Sequence, residues 1–290
     1  LISAQEMINR MDAGEKMFAQ THKGLRPITA SFKNGVKQTY EVTTKRGYKT
    51  IITSEHKVAI LKNGSIETTP LSNLNIGDEL LLLLGNGVQT QYQSLRKAGF
   101  YKPKVGGGGI NREVRLPEFL QEDAAYLLGY MNGDGYAHHG ENGSIKAIKM
   151  ATADNYPEIR ERIINAVQDV FNLEATIEDG DGECKSISMY SRIVIDWMIL
   201  NNLIKAKSAN IRVPEIIFKS PSSVQLAFVA GYFDADGCNR GDKGGYGFDS
   251  ISLEMLQDVQ KILILNGIVS TIKTFERPEG NWKTIYRLTI

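Results

Sequence analysis

Residues 127–135 read LLGYMNGDG, and residues 229–237 read VAGYFDADG. Each nonamer ends an apolar stretch that follows a hydrophobic-Pro-Glu sequence, at residues 116–118 in the first copy and 213–215 in the second. A stretch that is apolar on nearly every side predicts a helix that is buried all round. A repeat of this length in matching contexts indicates that residues 116–290 fold as two related halves.

The repeated stretches carry small residues four positions apart. Gly129 and Gly133 would lie on one face of the first helix, and Gly231 and Ala235 on one face of the second. Two helix backbones can approach closely where large side chains are absent. We therefore expect these four residues to pack the two helices against each other.

Each repeated stretch ends in an acidic residue, Asp134 or Asp236, followed by a glycine that would terminate the helix. Packed together, the helices would bring both carboxylates to one place, where the negative ends of the helix dipoles add to their repulsion. Hard divalent cations bind carboxylate and backbone oxygens and bridge to phosphate. One copy alone is typical of an ordinary helix end, but two matching copies predict a shared magnesium site.

Residues 127–135 and 229–237 resemble the paired LAGLIDADG (DOD-type) motifs of homing endonucleases. For residues 116–290 the resemblance implies a pseudosymmetric αββαββα domain, whose halves meet along the motif helices and whose sheets bind the DNA major groove. It further implies that Asp134 and Asp236 are the catalytic acids. Together they would hold the metal ions that hydrolyse phosphodiester bonds in both strands of a long asymmetric site.

The family also places a basic residue near the active site, in the region that corresponds to residues 205–207 here. Lys207 is our candidate for the catalytic lysine, with Lys205 and Arg212 as rivals. A solvated surface charge is the alternative interpretation for each of them. The counterpart in the second copy would fall beyond Ile290, so we expect the second repeat to be incomplete.

The charge of the chain is unevenly distributed, although its formal net charge is only +1. Residues 1–116 are net basic and residues 117–290 are net acidic, which argues against DNA binding by the second part unless its basic residues are clustered. Strand alternation predicts such clusters, because basic residues would share strand faces that can contact phosphates and guanine. The alternative is that these charges only solubilise the strands. The expected DNA-contacting residues are Lys146, Lys149, Lys273, Arg277, Lys283 and Arg287.

Residues 1–85 predict a compact β-rich domain, because short β-branched runs alternate there with turn signals such as Asn63-Gly64. Thr53 and His56 stand in a Thr-x-x-His pattern that resembles a conserved block of the Hint-type splicing domain of inteins. The resemblance implies that both residues assist the first acyl shift, and that the exteins of a host protein are partners. The chain has neither an initial Cys or Ser nor a terminal His-Asn, so we expect this polypeptide as written not to splice.

Residues 86–115 break every periodicity and contain the glycine run 106–109, which predicts a linker or an arm that contacts DNA. The two cysteines, Cys184 and Cys238, do not form a metal-binding pattern, which excludes a disulfide scaffold and a structural zinc site. The absence of a long apolar run predicts no membrane insertion. We therefore expect an intracellular, cytoplasmic monomer.

The sequence thus predicts an α+β protein in which a Hint-like domain precedes a homing endonuclease domain. The predicted function is the magnesium-dependent cutting of double-stranded DNA by the endonuclease of an intein. Two alternatives remain open, a protein-splicing element with an inactive endonuclease and a DNA-binding module that does not cut. A domain with no nucleic-acid role would leave the repeated Asp-Gly helix ends unexplained.

Overall fold

A computed structural model describes residues 3–21, 23–85, 90–96, 114–180, 182–241, 245–277 and 283–290. The structure is of the α+β class, and the chain divides into two units, Leu1–Gly85 and Asn86–Ile290. Every helix in the described ranges is too short or too polar to cross a bilayer.

The first unit contains one helix and three antiparallel hairpins. Its elements are α1 (Ala4–Asp12), β1 (Phe18–Thr21), β2 (Gly24–Pro27), β3 (Thr39–Thr43), β4 (Lys49–Thr53), β5 (Lys57–Lys62), β6 (Ser65–Pro70) and a 3₁₀ helix at Leu71–Asn73. Each odd-numbered strand pairs with the strand that follows it. The β5–β6 turn is the predicted Asn-Gly pair, with φ of 51° at Asn63 and 76° at Gly64, as a tight hairpin turn requires. Among the described residues of this unit, Ile60 is the only apolar side chain that is buried.

The second unit contains a helix–strand–strand–helix–strand–strand arrangement twice, and in the first copy a further helix follows it. The first copy comprises α2 (Glu122–Asp134), β7 (Gly135–His139), β8 (Ile145–Ala153), α3 (Pro157–Phe171), β9 (Thr176–Asp179), β10 (Cys184–Met189) and α4 (Arg192–Leu200). After a 3₁₀ helix (Ser208–Asn210) and α5 (Glu215–Lys219), the second comprises α6 (Ser222–Asp236), β11 (Gly237–Asn239), β12 (Tyr246–Ser250), α7 (Leu253–Leu265), β13 (Thr271–Phe275) and β14 (Ile285–Thr289). The sheet orders, β7-β8-β10-β9 and β11-β12-β14-β13, are equivalent. The two copies therefore share one topology.

Helices α2 and α6 pack against each other through their glycines. A Cβ atom at Gly129 would overlap the carbonyl oxygen of Phe228, and a Cβ atom at Gly231 would overlap the carbonyl oxygen of Tyr126. In the first contact α2 supplies the glycine and α6 the carbonyl oxygen, and in the second contact α6 supplies the glycine and α2 the carbonyl oxygen. The pair is therefore pseudosymmetric. Nearly every residue of α2 from Ala124 onwards is buried, which explains why the stretch is apolar on all sides.

Gly135 and Gly237 end these helices in a way that differs from our expectation of ordinary helix caps. Their φ angles are −96° and −76° with extended ψ, so neither adopts the left-handed conformation of a glycine cap. Glycine is needed for space, because a Cβ atom at Gly135 would lie 2.5 Å from Cα of Met131, and one at Gly237 would overlap Phe233. Each helix therefore runs directly into a strand, with its aspartate at the junction.

Residues 90–96 belong to the second unit and pack against its core, although the sequence predicted a linker there. Leu95 is buried in the core of that unit, and its backbone N–H donates to the carbonyl oxygen of Glu118 at 2.8 Å. The side chain of Asn201 binds the backbone N–H and C=O of Arg96, at 2.8 and 3.0 Å. One apolar anchor and these hydrogen bonds thus fix a segment that has no periodic pattern. The remaining linker positions, 86–89 and 97–113, lie outside the described residues.

The helix contact predicts that Gly129→Ala and Gly231→Ala each lower the free energy of unfolding by about 1–3 kcal/mol, because the added methyl group forces two backbones apart. Urea denaturation of the purified chain measures this effect. Gly140→Ala is the matched control, since its Cβ atom would meet only the flexible end of the Lys146 side chain. An unchanged unfolding midpoint for Gly129→Ala would contradict the close helix contact.

Candidate functional site

Asp134 and Asp236 are the last residues of α2 and α6, and helix packing brings both to the same end of the pair. A Cβ atom at Gly133 would lie 3.3 Å from Oδ2 of Asp236, so the second carboxylate closely approaches the end of the first helix. Asp134 is exposed to solvent at the end of α2, and Asp236 is half-buried. The structure thus places together the two acids that the sequence singled out.

The local environment disfavours negative charge on both aspartates. Although solvent reaches Asp134, burial of its carboxyl group and the nearby charge of Asp236 raise its pKa to about 6, while Lys205 opposes this shift. Burial also raises the pKa of Asp236, and here Lys205 and the Tyr232 hydroxyl oppose the shift. A positive ion between the carboxylates would relieve this cost.

The structure brings Lys205, the rival of our candidate Lys207, to the aspartates. The ammonium group of Lys205 donates to the carbonyl oxygen of Gly133, and the charges of both aspartates act on it. Burial lowers the pKa of Lys205, whereas the aspartates raise it. Leu203 is buried and anchors this segment, while Lys207 is exposed where the 3₁₀ helix begins.

Arg212, the other rival, binds a different carboxylate. Its Nε and Nη2 atoms donate to Oδ2 and Oδ1 of Asp258, at 2.6 and 2.9 Å. Asp258 lies on α7 and is only 2% exposed, so a paired cation satisfies its buried charge. Arg212 therefore ties the segment between the copies to α7. The sequence offered no signal for this pairing, because the two residues are far apart along the chain.

Sequence reasoning missed two tyrosines of the site. Tyr232 is fully buried, and its hydroxyl group makes no hydrogen bond of normal geometry in the described part of the chain, yet it lies close enough to Asp236 to lower that residue's pKa. Tyr130 is held in place by donating to the carbonyl oxygen of Ala151 at 2.8 Å. Both follow the first glycine of their nonamers, a shared position that could have identified them.

A second group missed from the sequence connects α3 to both motif helices. The hydroxyl group of Tyr126 donates to Oδ2 of Asp234 at 2.8 Å, and Arg162 donates to the same oxygen at 3.3 Å. The guanidinium group of Arg162 also lies 3.8 Å from the centre of the Tyr126 ring, a cation–π contact. This cluster fixes the register of α2 and α6, and with it the alignment of their terminal aspartates.

The groups at the helix ends are those that a hard divalent cation prefers. Asp134 and Asp236 supply carboxylate oxygens, and the buried hydroxyl group of Tyr232 supplies further polarity beside them. The described ranges contain no cluster of three or more His, Cys, Asp or Glu side chains that could enclose a metal ion. Such a site fits Mg²⁺, which retains waters and is usually bound by one or two carboxylates together with substrate phosphates.

In the first sheet, an ion pair neutralises one of the residues expected to contact DNA. Lys149 on β8 pairs with Glu178 on β9 at 2.5 Å. Glu178 also accepts hydrogen bonds from Ser188 and Tyr190, and these donors, led by Lys149, lower its pKa to about 2. Lys146 is exposed at the bulge of β8. Lys149 is therefore a partner of Glu178, a pairing that strand alternation could not predict.

The second sheet retains an excess of positive charge. Lys273 on β13 stands opposite Arg287 on β14, and Arg287 binds Asp249 on β12 through two hydrogen bonds of 2.8 and 2.9 Å. Arg277 and Lys283 are exposed and lie just outside the ends of these strands. The predicted basic residues of this copy thus lie on and beside one sheet.

Thr53 and His56 come together in the first unit. Thr53 ends β4, and His56 lies in the turn before β5, where its backbone N–H donates to the carbonyl oxygen of Thr53 at 3.1 Å. Both residues line a cavity of about 460 Å³ together with Lys37 and Glu55. Thr53 is half-buried and His56 is exposed.

Comparison with known proteins gives a family match within the second copy. Residues 223–290 match the profile of the LAGLIDADG-like domain. The chain is 28% identical over 178 residues to glutamine–fructose-6-phosphate aminotransferase (isomerizing) of Methanocaldococcus jannaschii, covering 61% of this chain and 16% of that protein. It is 26% identical over 250 residues to the ribonucleoside-diphosphate reductase NrdEB subunit alpha of Bacillus subtilis, covering 80% and 20%. The chain thus spans a fifth or less of these relatives.

Among solved structures, the chain is similar to the homing endonuclease I-WcaI bound to its DNA recognition sequence. The TM-score is 0.38 and the sequence identity is 12%, with 59% of this chain and 76% of that chain covered.

The raised pKa of Asp134 predicts how stability depends on pH. A carboxyl group whose pKa is about 6 in the folded chain and about 3.9 in the unfolded chain binds its proton more tightly when folded, so stability falls as pH rises through this interval. Asp134→Asn cannot ionise. Without divalent metal it should therefore melt at a higher temperature than the wild type at pH 7.5, and the difference should vanish near pH 4.

Thermal melting in EDTA at several pH values checks this expectation. Glu141→Gln, an exposed substitution in the turn between β7 and β8, is the control and should melt like the wild type at each pH. A lower melting temperature for Asp134→Asn at pH 7.5 would show that the two acids do not destabilise each other.

Proposed function

We propose that this protein is a metal-dependent endonuclease that cuts both strands of a specific DNA site. The observation that carries the proposal is the meeting of Asp134 and Asp236 at the ends of two packed helices, with the ammonium group of Lys205 beside them. Paired carboxylates and one cation are the groups that phosphodiester hydrolysis with Mg²⁺ requires. The LAGLIDADG-like domain in residues 223–290 supports this proposal.

In this mechanism Asp134 and Asp236 would hold Mg²⁺, and the bound ion would supply Lewis acidity for the attacking water and the leaving 3′ oxygen. Lys205 neutralises charge on the phosphate as it becomes five-coordinate. An ammonium group has three N–H donors, and since one is directed at Gly133, two remain for phosphate oxygens. Tyr232 supports Asp236 from the buried side, and the packed helices hold all these groups in place before DNA binds.

The sheets beside the helix ends would position the DNA. Each sheet directly follows a motif helix, so a duplex lying across both sheets would place its backbone at the aspartates. The positive charge on the second sheet, led by Lys273 and Arg287, suits phosphate contact and base reading. Two related but non-identical sheets would recognise a long asymmetric site.

We further infer that the chain is the endonuclease-containing part of an intein. Two of its relatives carry the names of an aminotransferase and a ribonucleotide reductase, enzymes of unrelated chemistry, and the matching segment covers a fifth or less of each. A segment shared by unrelated hosts is typical of a mobile insert with an activity of its own. Thr53 and His56, which meet in one cavity of the first unit, supply the groups proposed to assist the acyl shift.

Cleavage of plasmid DNA tests the endonuclease proposal. The substrate is a library that carries candidate host sequences without the insert, incubated with Mg²⁺. The wild type should cut one site in both strands, and Asp134→Asn and Asp236→Asn should abolish cutting because each removes a metal ligand. Lys205→Met should lower the rate about 10²- to 10³-fold, because a charge that stabilises the transition state is lost.

Lys207→Met is the matched control for Lys205→Met, since Lys207 is a nearby exposed lysine, and it should cut at the wild-type rate. If the wild type binds a specific site without cutting it, the protein is a DNA-binding module and the catalytic proposal is wrong. If the aspartate variants cut as well as the wild type, the site lies elsewhere.

The intein proposal is tested on the complete natural polypeptide that contains this chain. Mass spectrometry should detect joined host segments and the released insert. His56→Ala and Thr53→Ala should slow this reaction and let the precursor accumulate, because the groups that assist the acyl shift are missing. His138→Ala, an exposed histidine of β7, is the control and should leave splicing unchanged. A stable precursor in the wild type would contradict the proposal.

A further inference from the structure

Three charged residues stand in one row across the second sheet. Lys273 on β13 lies opposite Arg287 on β14, and Arg287 lies opposite Asp249 on β12. Neighbouring positions on the same strands belong to the buried core: Ile272, Leu288 and Phe248. Because side chains alternate between the faces of a sheet, the charged row lies on the face opposite the core.

The row lies close to the candidate active site. Phe248 pairs with Gly237, the first residue after Asp236, so Asp249 occupies the position next to the end of α6. A DNA duplex bound with its backbone at the aspartates would therefore meet this row on the same sheet. The row is placed to contact bases near the cutting site.

The guanidinium group of Arg287 is held along one edge by hydrogen bonds to a carboxylate and on one face by an aromatic ring. Nε donates to Oδ1 of Asp249 at 2.8 Å, Nη2 donates to Oδ2 at 2.9 Å, and the guanidinium carbon lies 4.7 Å from the centre of the Phe275 ring. A guanidinium group has five N–H donors, so these two bonds leave both donors of Nη1 and one of Nη2. This remaining edge is the fork that binds O6 and N7 of guanine.

The cluster around Asp249 keeps a positive charge. Arg240 also donates to Oδ1 of Asp249, at 2.8 Å, so two guanidinium groups share one carboxylate. Lys273, in the neighbouring strand, adds a third cation. The excess charge favours the electron-rich edge of guanine and the nearby phosphates.

At two of the three equivalent positions the first sheet carries small neutral residues, and the third carries Glu178, which stands opposite Ser186 and corresponds to Lys273. Met150 pairs with Gly135 as Phe248 pairs with Gly237, so Ala151 corresponds to Asp249. Ser186 stands opposite Ala151 and therefore corresponds to Arg287. The two halves of the protein consequently present different chemistry to the DNA at the same distance from the helix ends.

We propose that Arg287, oriented by Asp249, reads a guanine in the half of the DNA target that the second sheet binds, and that the matching position of the other half is not read as guanine. This inference rests on the proposed function and adds a residue that determines its specificity. Asp249 is a positioning residue here, because it acts on the DNA only through Arg287. Bidentate binding requires the fork of arginine and cannot be provided by lysine.

Selection from a random-sequence duplex library tests the inference. The full chain is incubated with the library in EDTA, which prevents metal-dependent cutting, and the bound duplexes are sequenced. The wild type should enrich guanine at one position on one side of the site. Arg287→Lys should reduce that preference roughly 5- to 150-fold, at this position only, because the charge is retained and the fork is lost.

Asp249→Asn should weaken the same preference without changing the others, since Arg287 is then no longer held in one orientation. Lys273→Ala is the matched control from the same row. It should weaken binding to all sequences and reduce the salt dependence by about one phosphate contact, with base preferences unchanged. Melting curves establish that each variant is folded, and Asp249→Asn still tests the inference if Arg287→Lys does not fold.

Wild-type base preferences in both folded Arg287→Lys and folded Asp249→Asn would overturn the inference while leaving the proposed endonuclease intact. Equal enrichment of guanine on both sides of the site would also overturn it. If the wild type enriches no sequence, site-specific DNA recognition itself fails, and this inference fails with it.

Discussion

The close approach of two helix backbones governs the second unit. At Gly129 and Gly231 the backbones of α2 and α6 come so near that a single methyl group on either side would meet a carbonyl oxygen. Such contact requires residues without side chains, and it restricts the helices to one relative position. This position also fixes the terminal aspartates, so the geometry of the candidate metal site follows from a packing constraint about one and a half helical turns away from it.

The charged residues of this protein form local pairs, so the net charge of a segment does not indicate what that segment can bind. The acidic second part contains a site where Asp134 and Asp236 are destabilised as anions, and a sheet on which cations exceed their partners. Elsewhere Glu178 neutralises Lys149, and Asp258 is buried beneath Arg212. Only the unbalanced clusters are suited to bind a metal ion or DNA.

Much of the fold could be predicted from periodic patterns. The turn at residues 63–64 and the two motif helices follow from hairpin and helix signals that act over a few residues. Contacts between distant segments were beyond this reasoning. The choice between Lys205 and Lys207 depends on how a loop is anchored by Leu203, and the docking of residues 90–96 depends on Leu95 finding a place in the core. No pattern within either segment encodes these outcomes.

The direct passage from helix to strand at Gly135 and Gly237 has a mechanical consequence. A left-handed cap or a loop between the two elements would act as a hinge, but here each aspartate is the last residue of a helix and its neighbour is the first residue of a strand. A duplex seated one base pair out of register on the sheet would carry its phosphate away from the carboxylates, since nothing between them can yield. In the proposed endonuclease, this rigid junction would make the alignment of the phosphate with the two carboxylates depend on the correct position of the DNA on the sheet.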